Sequence, residues 1–458
     1  MKIHRQSRRS RAPEKTSMSR QEQSALLASI LLYGTFGLLM FGPLAFGAVE
    51  SWSIFVVEAG AVILALLWLA KQYLDEEIAI LWNPLFLPMG AFGLLIAFQL
   101  LLGSSAYRHD TVSGAMLYCA YGLLCFLVTQ TLQRTSQARK IAIILAVYGI
   151  AVASFALLQG ISPNGKLYWL REPRLGGWIY GPYVNHNHYA GLMELLVPIP
   201  LIISLSHFTQ ERERIAAGVG AAIMVGTIFL SGSRGGMIAI LVELAVLGIV
   251  MFRKKTKLRI AIGVATFAIV LAGLLTWLGG KELTTRVSSI STEARSELSG
   301  GMRLSIDRDA LHMFRERPLL GWGLGSFPTV YPQFRSFYTN FFVNEAHNDY
   351  LQLLAEMGLP GFAIMVWFLV VIYRRARQKV GNWSSNVSSA VTLACTLGLA
   401  GILVHSFFDF NLQIPANAAF FYVLGSIAAA PPLLQRTRKR RPVTTEDEEE
   451  IVPASEVV

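Results

Sequence analysis

Apolar residues fall in blocks of close to 20 along almost the whole chain, and this repetition constrains the fold more than any other feature. A helix of about 20 residues crosses a hydrocarbon core of about 30 Å, whereas a soluble core needs no such uniform length. Twelve segments fit: 24–45, 51–70, 81–102, 114–132, 141–160, 188–206, 215–230, 236–252, 260–279, 359–373, 387–407 and 416–433. Within lipid a backbone N–H or C=O must find its partner inside its own segment, which favours helices. Composition agrees: 53% of the 458 residues are hydrophobic and 15% charged, against roughly 25% charged in an ordinary globular chain. We therefore expect an all-α polytopic membrane protein with about 12 transmembrane helices and a small helical periplasmic cap. A soluble enzyme, a fibre or a disordered chain is set aside. Cys119, Cys125 and Cys395 all lie in apolar stretches, an arrangement that suits neither a disulfide framework nor a zinc site.

Orientation follows from the cations, because short cytoplasmic connections carry an excess of Lys and Arg. With the N-terminus inside, the cytoplasmic segments hold 27 of the 40 Lys and Arg and the outer segments 13, eight of them in one long loop. Both termini are then cytoplasmic. The expected organisation is a basic N-terminus (1–23), spans one to nine (24–279), a periplasmic helical loop (280–358), spans ten to twelve (359–433) and a disordered acidic tail (434–458). No cleavable leader is expected, since the polar start runs straight into the first span. Within the loop, Met302 to Arg315 and Glu345 to Met357 have the spacing of amphipathic helices.

Polar residues gather in the outer connections. Arg234 lies in the turn Ser231-Gly-Ser-Arg-Gly-Gly236, on the side where cations are disfavoured. Its glycines leave room for a large anion to reach both guanidinium and backbone N–H groups, and the helix that follows adds a favourable N-terminus. The plain alternative is an arginine touching lipid phosphate. His347 is expected to begin a helix under a basic cap, where it would take a proton from a hydroxyl or orient it, or simply cap the helix. Arg303 stands four residues before Asp307, so an intrahelical ion pair competes with any other role. His186 and His188, flanked by Asn185 and Asn187, make only a weak metal signal. Gly321-x-Gly323-x-Gly325 is not a nucleotide loop, having no preceding strand and no Walker lysine; it reads as a turn packed near the membrane. Glu58, Glu194 and Glu243 lie within spans, where a carboxylate is a functional hint for an ion path or for paired structural groups.

Taken together, Ser233-Arg-Gly-Gly236, the run from Arg303 through Pro318-Leu-Leu-Gly-Trp-Gly-Leu-Gly-Ser-Phe327, and Ala346-His-Asn-Asp-Tyr350 continuing to Gly361 resemble the O-antigen ligase and O-antigen polymerase family of bacterial inner membranes. Asn185-x-Asn187 and the segment from His405 through Asp409 to Pro415 resemble looser family segments. The resemblance implies a metal-independent, cofactor-free glycosyltransferase of the inner membrane. Its donor would be a glycan on undecaprenyl diphosphate, and its acceptor lipid A-core, a growing glycan or a protein hydroxyl, with membrane lipid around it and no nucleic acid. It implies diphosphate binding for Arg234 and Arg303 and contact with the acceptor hydroxyl for His347. Asn348, Asn185, Asn187, Asp409 and Arg286 are expected in support. Asp307 departs from the aromatic residue that family members often carry at that place. Two other functions stay open: a small-anion or bicarbonate-type transporter, and a non-catalytic scaffold of a polysaccharide export complex.

The orientation is testable. Single cysteines introduced at Ser296 and Ser384 should label from opposite faces, Ser296 from the periplasm and Ser384 from the cytoplasm. Labelling of both by an impermeant maleimide in intact spheroplasts would overturn the arrangement.

Overall fold

The computed structural model describes residues 18–173, 178–252, 300–339 and 342–434. The N-terminal basic segment to residue 17, the ninth expected span (260–279), Arg286 and the tail from 435 onward lie outside the described residues. The regular elements are helices, accompanied by isolated β-bridges. In chain order they are α1 (Arg20–Leu44), α2 (Ser51–Asp75), α3 (Phe86–Leu101), α4 (Arg108–Thr131), α5 (Thr135–Ile161), α6 (His186–Leu196), α7 (Pro198–Leu205), α8 (Glu211–Ser231), α9 (Arg234–Phe252), α10 (Gly300–Glu316), α11 (Asp349–Lys379), α12 (Val387–His405) and α13 (Pro415–Ala429). Among the described residues, nine helical stretches are long and apolar enough to cross a membrane, α6 and α7 together forming one. The apolar helices α3 and α13 are shorter, at 16 and 15 residues.

Local chemistry sets the ends. Ser19 caps α1 reciprocally with Glu22: its hydroxyl accepts the Glu22 N–H at 3.3 Å, and its own N–H donates to the Glu22 carboxylate at 2.9 Å. The α6–α7 break falls at Pro198, which has no N–H to return to the Glu194 carbonyl. Gly232 closes α8 in the left-handed region at φ 79°, as a helix C-terminus prefers.

Every residue of α6 is buried, as is every residue of α13 except Tyr422. These two helices form the interior, while α1, α2 and α3 present exposed side chains such as Phe55, Leu66 and Leu94. Outward apolar side chains suit lipid as the surrounding solvent. The bundle has two distinct ends. At one, Thr135 donates its N–H to the Leu434 carbonyl, His207 to that of Ser384, and Arg20 pairs with Glu76. At the other, Tyr168 donates to the Leu44 carbonyl, Arg171 pairs with Glu50, and Ala106 bonds Trp322.

That second end carries α10, whose fully buried Ile306, Ala310 and Met313 pack against Phe327, Val330 and Tyr331. Leu304, expected on the same apolar face, is 51% exposed. The helix expected from Glu345 starts instead at Asp349, because Asn348 is its cap. It then runs on past Gly358, which breaks the helical geometry at φ 63°, ψ −169°. The glycine-rich run 321–325 threads this kink. Leu359 donates its N–H to the Pro318 carbonyl at 2.8 Å, and the Glu356 carboxylate accepts from the N–H groups of Gly325 and Phe327 at 2.8 and 3.1 Å.

Such a backbone conformation is essentially reserved for glycine. A Cβ at 358 would also stand 2.5 Å from the Leu319 carbonyl oxygen and 2.8 Å from that of Pro318. Gly358→Ala should therefore cost at least about 1–3 kcal/mol and lower the melting temperature of the detergent-purified protein. An unchanged melting temperature would mean that the kink tolerates a side chain.

Candidate functional site

At the end that carries α10, four segments converge on one buried carboxylate, Asp409, which is 1% exposed. It lies in the turn between α12 and α13, held by its own N–H donating to the His405 carbonyl at 3.1 Å. One oxygen, Oδ1, faces His347 Nδ1 at 3.3 Å and accepts the Phe410 N–H at 2.9 Å. The other, Oδ2, accepts from Asn187 Nδ2 at 2.6 Å and lies 3.8 Å from the Arg303 guanidinium. Burial alone would raise this carboxyl, but the hydrogen bond with His347 and the nearby Arg303 guanidinium hold it well below the usual carboxylate range.

The contributing segments are themselves fixed. Asn185 caps α6 by accepting the Asn187 N–H at 2.8 Å. That places the Asn187 side chain toward Asp409 and, one residue on, His188 against the Phe410 ring at 4.6 Å. Arg303 projects from the first turn of α10 and donates to the Phe408 carbonyl at 2.9 Å. Its hydrogen bond therefore runs across to the Asp409 turn, while its charge also acts on Asp307, the competing partner on its own helix. Asp307 is held by Asn348.

His347 does not begin its helix, as the sequence had suggested. It sits just before the cap, in the left-handed region at φ 55°, an uncommon place for a residue other than glycine. Its neighbours hold that geometry on both sides. Asn348 accepts the N–H groups of Tyr350 and Leu351, both at 3.2 Å, and Gln352 accepts that of Ala346 at 2.9 Å while donating to Glu345. A carboxylate can only accept, so Asp409 favours the tautomer with hydrogen on Nδ1 of His347. Nε2 is then left as the acceptor.

Arg234 is exposed at the start of α9. Its turn is built by serines: Ser231 Oγ accepts the Ser233 N–H at 3.3 Å, and Ser233 Oγ accepts that of Gly236 at 3.2 Å. Behind this turn lies a buried pair, Glu194 with His405, at 2.7 Å. Glu243 is buried one helix further in, against Gly401, and Glu58 sits half-buried on α2. Among the described residues, no group of three or more His, Cys, Asp or Glu is arranged to hold a metal ion.

Sequence reasoning missed Asp349, Gln352 and Glu356. Asp349 clamps the α12–α13 turn to α11: its N–H donates to the Ser406 carbonyl at 3.0 Å, and its carboxylate accepts from the Ser406 hydroxyl at 2.7 Å and the Leu412 N–H at 3.1 Å. The one signal for it was an acid directly after an Asn cap.

Fold and site thus define a polytopic helical membrane protein with an Asp–His–Arg cluster at one end of its bundle. Residues 219–366, from within α8 to within α11, match the O-antigen ligase family. That stretch contains Arg234, Arg303 and His347. The chain is 24% identical over 325 residues to an O-antigen ligase of Pseudomonas aeruginosa, covering 70% of each protein. It is 23% identical over 244 residues to an uncharacterized protein of Haemophilus influenzae, half of this chain and 59% of that relative's length. The chain resembles the O-antigen ligase and polymerase family, as its motifs imply.

The cluster generates a pH dependence. Burial pushes the Asp307 carboxyl up to about 6, against the downward pull of the Asn348 hydrogen bond and of His347 and Arg303. A carboxyl raised in the folded state binds its proton more tightly there than in the unfolded chain. It therefore favours folding at low pH, and that contribution is lost as pH rises through about 6. Asp307→Asn stays neutral throughout. Its melting temperature should match wild type near pH 4 and exceed it at pH 8; a difference constant with pH would refute this.

Proposed function

We propose that the chain is a membrane glycosyltransferase that moves a glycan from a polyprenyl (undecaprenyl) diphosphate to an acceptor hydroxyl. In this reading the clustered end of the bundle faces the periplasm, which the distribution of Lys and Arg along the sequence supports. The observation that carries this reading is the convergence on Asp409: one carboxylate approaches both His347 and Arg303, at the end of the bundle that carries Arg234.

The chemistry follows from those roles. The acceptor oxygen forms a bond to the sugar carbon while that carbon's bond to the diphosphate oxygen breaks. The diphosphate leaves with the electron pair, and the hydroxyl proton passes to Nε2 of His347. Arg234 and Arg303 stabilise the charge gathering on the leaving diphosphate, for which planar guanidinium groups are suited. Asp409 keeps the imidazole in the accepting tautomer and stabilises the imidazolium that forms, as an orienting acid does beside a catalytic base. General-base assistance of this kind contributes about 10²–10⁴-fold. The acceptor class, whether lipid A-core, growing glycan or protein hydroxyl, belongs to the same proposal. The transporter alternative would place decisive residues along a central path. Glu194 is instead bonded to His405 at the foot of the Arg234 turn, which supports the transfer reading.

In a reconstituted assay with a lipid-diphosphate glycan, His347→Ala should lower transfer by about 10²–10⁴-fold while retaining donor binding. Arg234→Lys should insert normally and lose most activity, because lysine keeps the charge without the fork. Wild-type rates in both variants would sink the reading.

A further inference from the structure

The transfer reading leaves unused a deeply buried acid–histidine pair of the bundle. Glu194, on α6, is 0% exposed and His405, the last residue of α12, is 1% exposed. They meet through Nδ1 and Oε1 at 2.7 Å. We infer that this pair is a positioning element, one rigid contact that sets the distance between the Arg234 turn and the Asp409–His347 side of the site. The inference rests on the glycosyltransferase reading.

His405 touches both halves. Through its backbone it holds the Asp409 turn, its carbonyl accepting the N–H groups of Phe408 at 2.8 Å and Asp409 at 3.1 Å. Through its ring it supports the Arg234 turn: Nε2 lies 2.6 Å from where a Cβ on Gly235 would stand. The ring edge therefore occupies the space of a missing side chain, directly beside Arg234. Glu194 does the same one residue later, its Oε1 standing 3.1 Å from the Cβ position of Gly236.

The close approach is built into all three helices. On α12, Gly398 rides on the Leu195 carbonyl of α6, its Cβ position 2.8 Å from that oxygen, and Gly401 rides on Glu243 of α9. Small residues allow helix backbones to approach in a membrane, so α12 is wedged between α6 and α9 with His405 at its tip. An imidazole moves as a flat plate about two torsions. Once Nδ1 is committed to a buried carboxylate, leaving that hydrogen bond strands two desolvated polar groups. The plate therefore transmits position with little slack. Misplacement of reacting groups by about 1 Å can cost on the order of 10²-fold in rate, so the pair bears on the chemical step without touching substrate.

A steric exchange tests this. Gly235→Ala places a methyl group against the His405 ring and should lower kcat by at least about tenfold, with a size-exclusion profile close to wild type. His405→Asn is smaller and can still donate to Glu194. In the Gly235→Ala background it should recover activity above the single Gly235→Ala variant. A merely structural pair would give losses that add, with melting temperature falling in step. Wild-type kcat in Gly235→Ala, or additive losses in the double variant, would overturn the inference. Arg234→Ala and His347→Ala are run beside them. If both are inactive, such a failure concerns the positioning pair alone; if both are active, the glycosyltransferase reading fails and takes the inference with it.

Discussion

A carboxylate almost wholly removed from solvent is costly unless it is hydrogen-bonded and paired, and at Asp409 the surrounding chain meets that requirement from four directions. Asn187 comes from the start of α6, Arg303 from α10, His347 from the segment before α11, and the Phe410 N–H from the same turn. Each partner lies far from Asp409 in sequence except the last, so satisfying one side chain also fixes how α6, α10 and α11 meet the α12–α13 turn. The requirement to pair Asp409 and the requirement to assemble a site are met by the same contacts. Removing one partner leaves a buried charge short of compensation, which is why such networks resist partial disassembly.

A second layer holds the first. Asn348 caps α11 through two backbone N–H groups and restrains Asp307. Asp349 ties α11 to the turn beyond α12, and Glu356 binds the glycine-rich run that crosses the Gly358 kink. All three sit at or near the start of one helix, so α11 organises the segments that meet there as well as running through the bundle. The left-handed conformation at His347 is tolerable in this setting because backbone groups on both sides of it are already committed.

Much of this fold was legible from the sequence because membrane segments announce themselves one at a time. Length and apolarity are local properties: among the described residues nine of the expected segments meet helical stretches long and apolar enough to span, 81–102 and 416–433 meet the shorter α3 and α13, and one segment lies outside the described residues. The amphipathic α10 was legible from its apolar spacing, whereas the break at Pro198 was not, 188–206 being expected as one continuous span. Arg234, Arg303 and His347 stood out because charge is conspicuous in an apolar chain and because they fall in recognisable motifs. Pairing was not legible. His405 and Glu194 are separated by 211 positions, and Asn187 and Asp409 by 222, and no periodicity relates residues so far apart. The start of α11 was misplaced for a related reason. Apolar spacing from Glu345 onward fits a helix, but a cap that satisfies free N–H groups at Asn348 decides where the helix begins.

Glycine acts here as a chemical component of the site as much as a backbone device. Gly235 and Gly236 are ordinary helical residues in α9, not left-handed turn residues, so backbone freedom does not explain them. Space does: the positions of their absent side chains are taken by His405, Glu194 and Ala190. Gly358 is the opposite case, where both the torsions and the neighbouring carbonyls exclude a side chain. Glycine placed by torsion can be inferred from the turn it creates. Glycine placed by a neighbour's bulk can be understood only once that neighbour is known. A motif such as Ser233-Arg-Gly-Gly236 therefore carries information about α6 and α12 as well as about its own turn, and its two glycines follow from the buried pair behind Arg234.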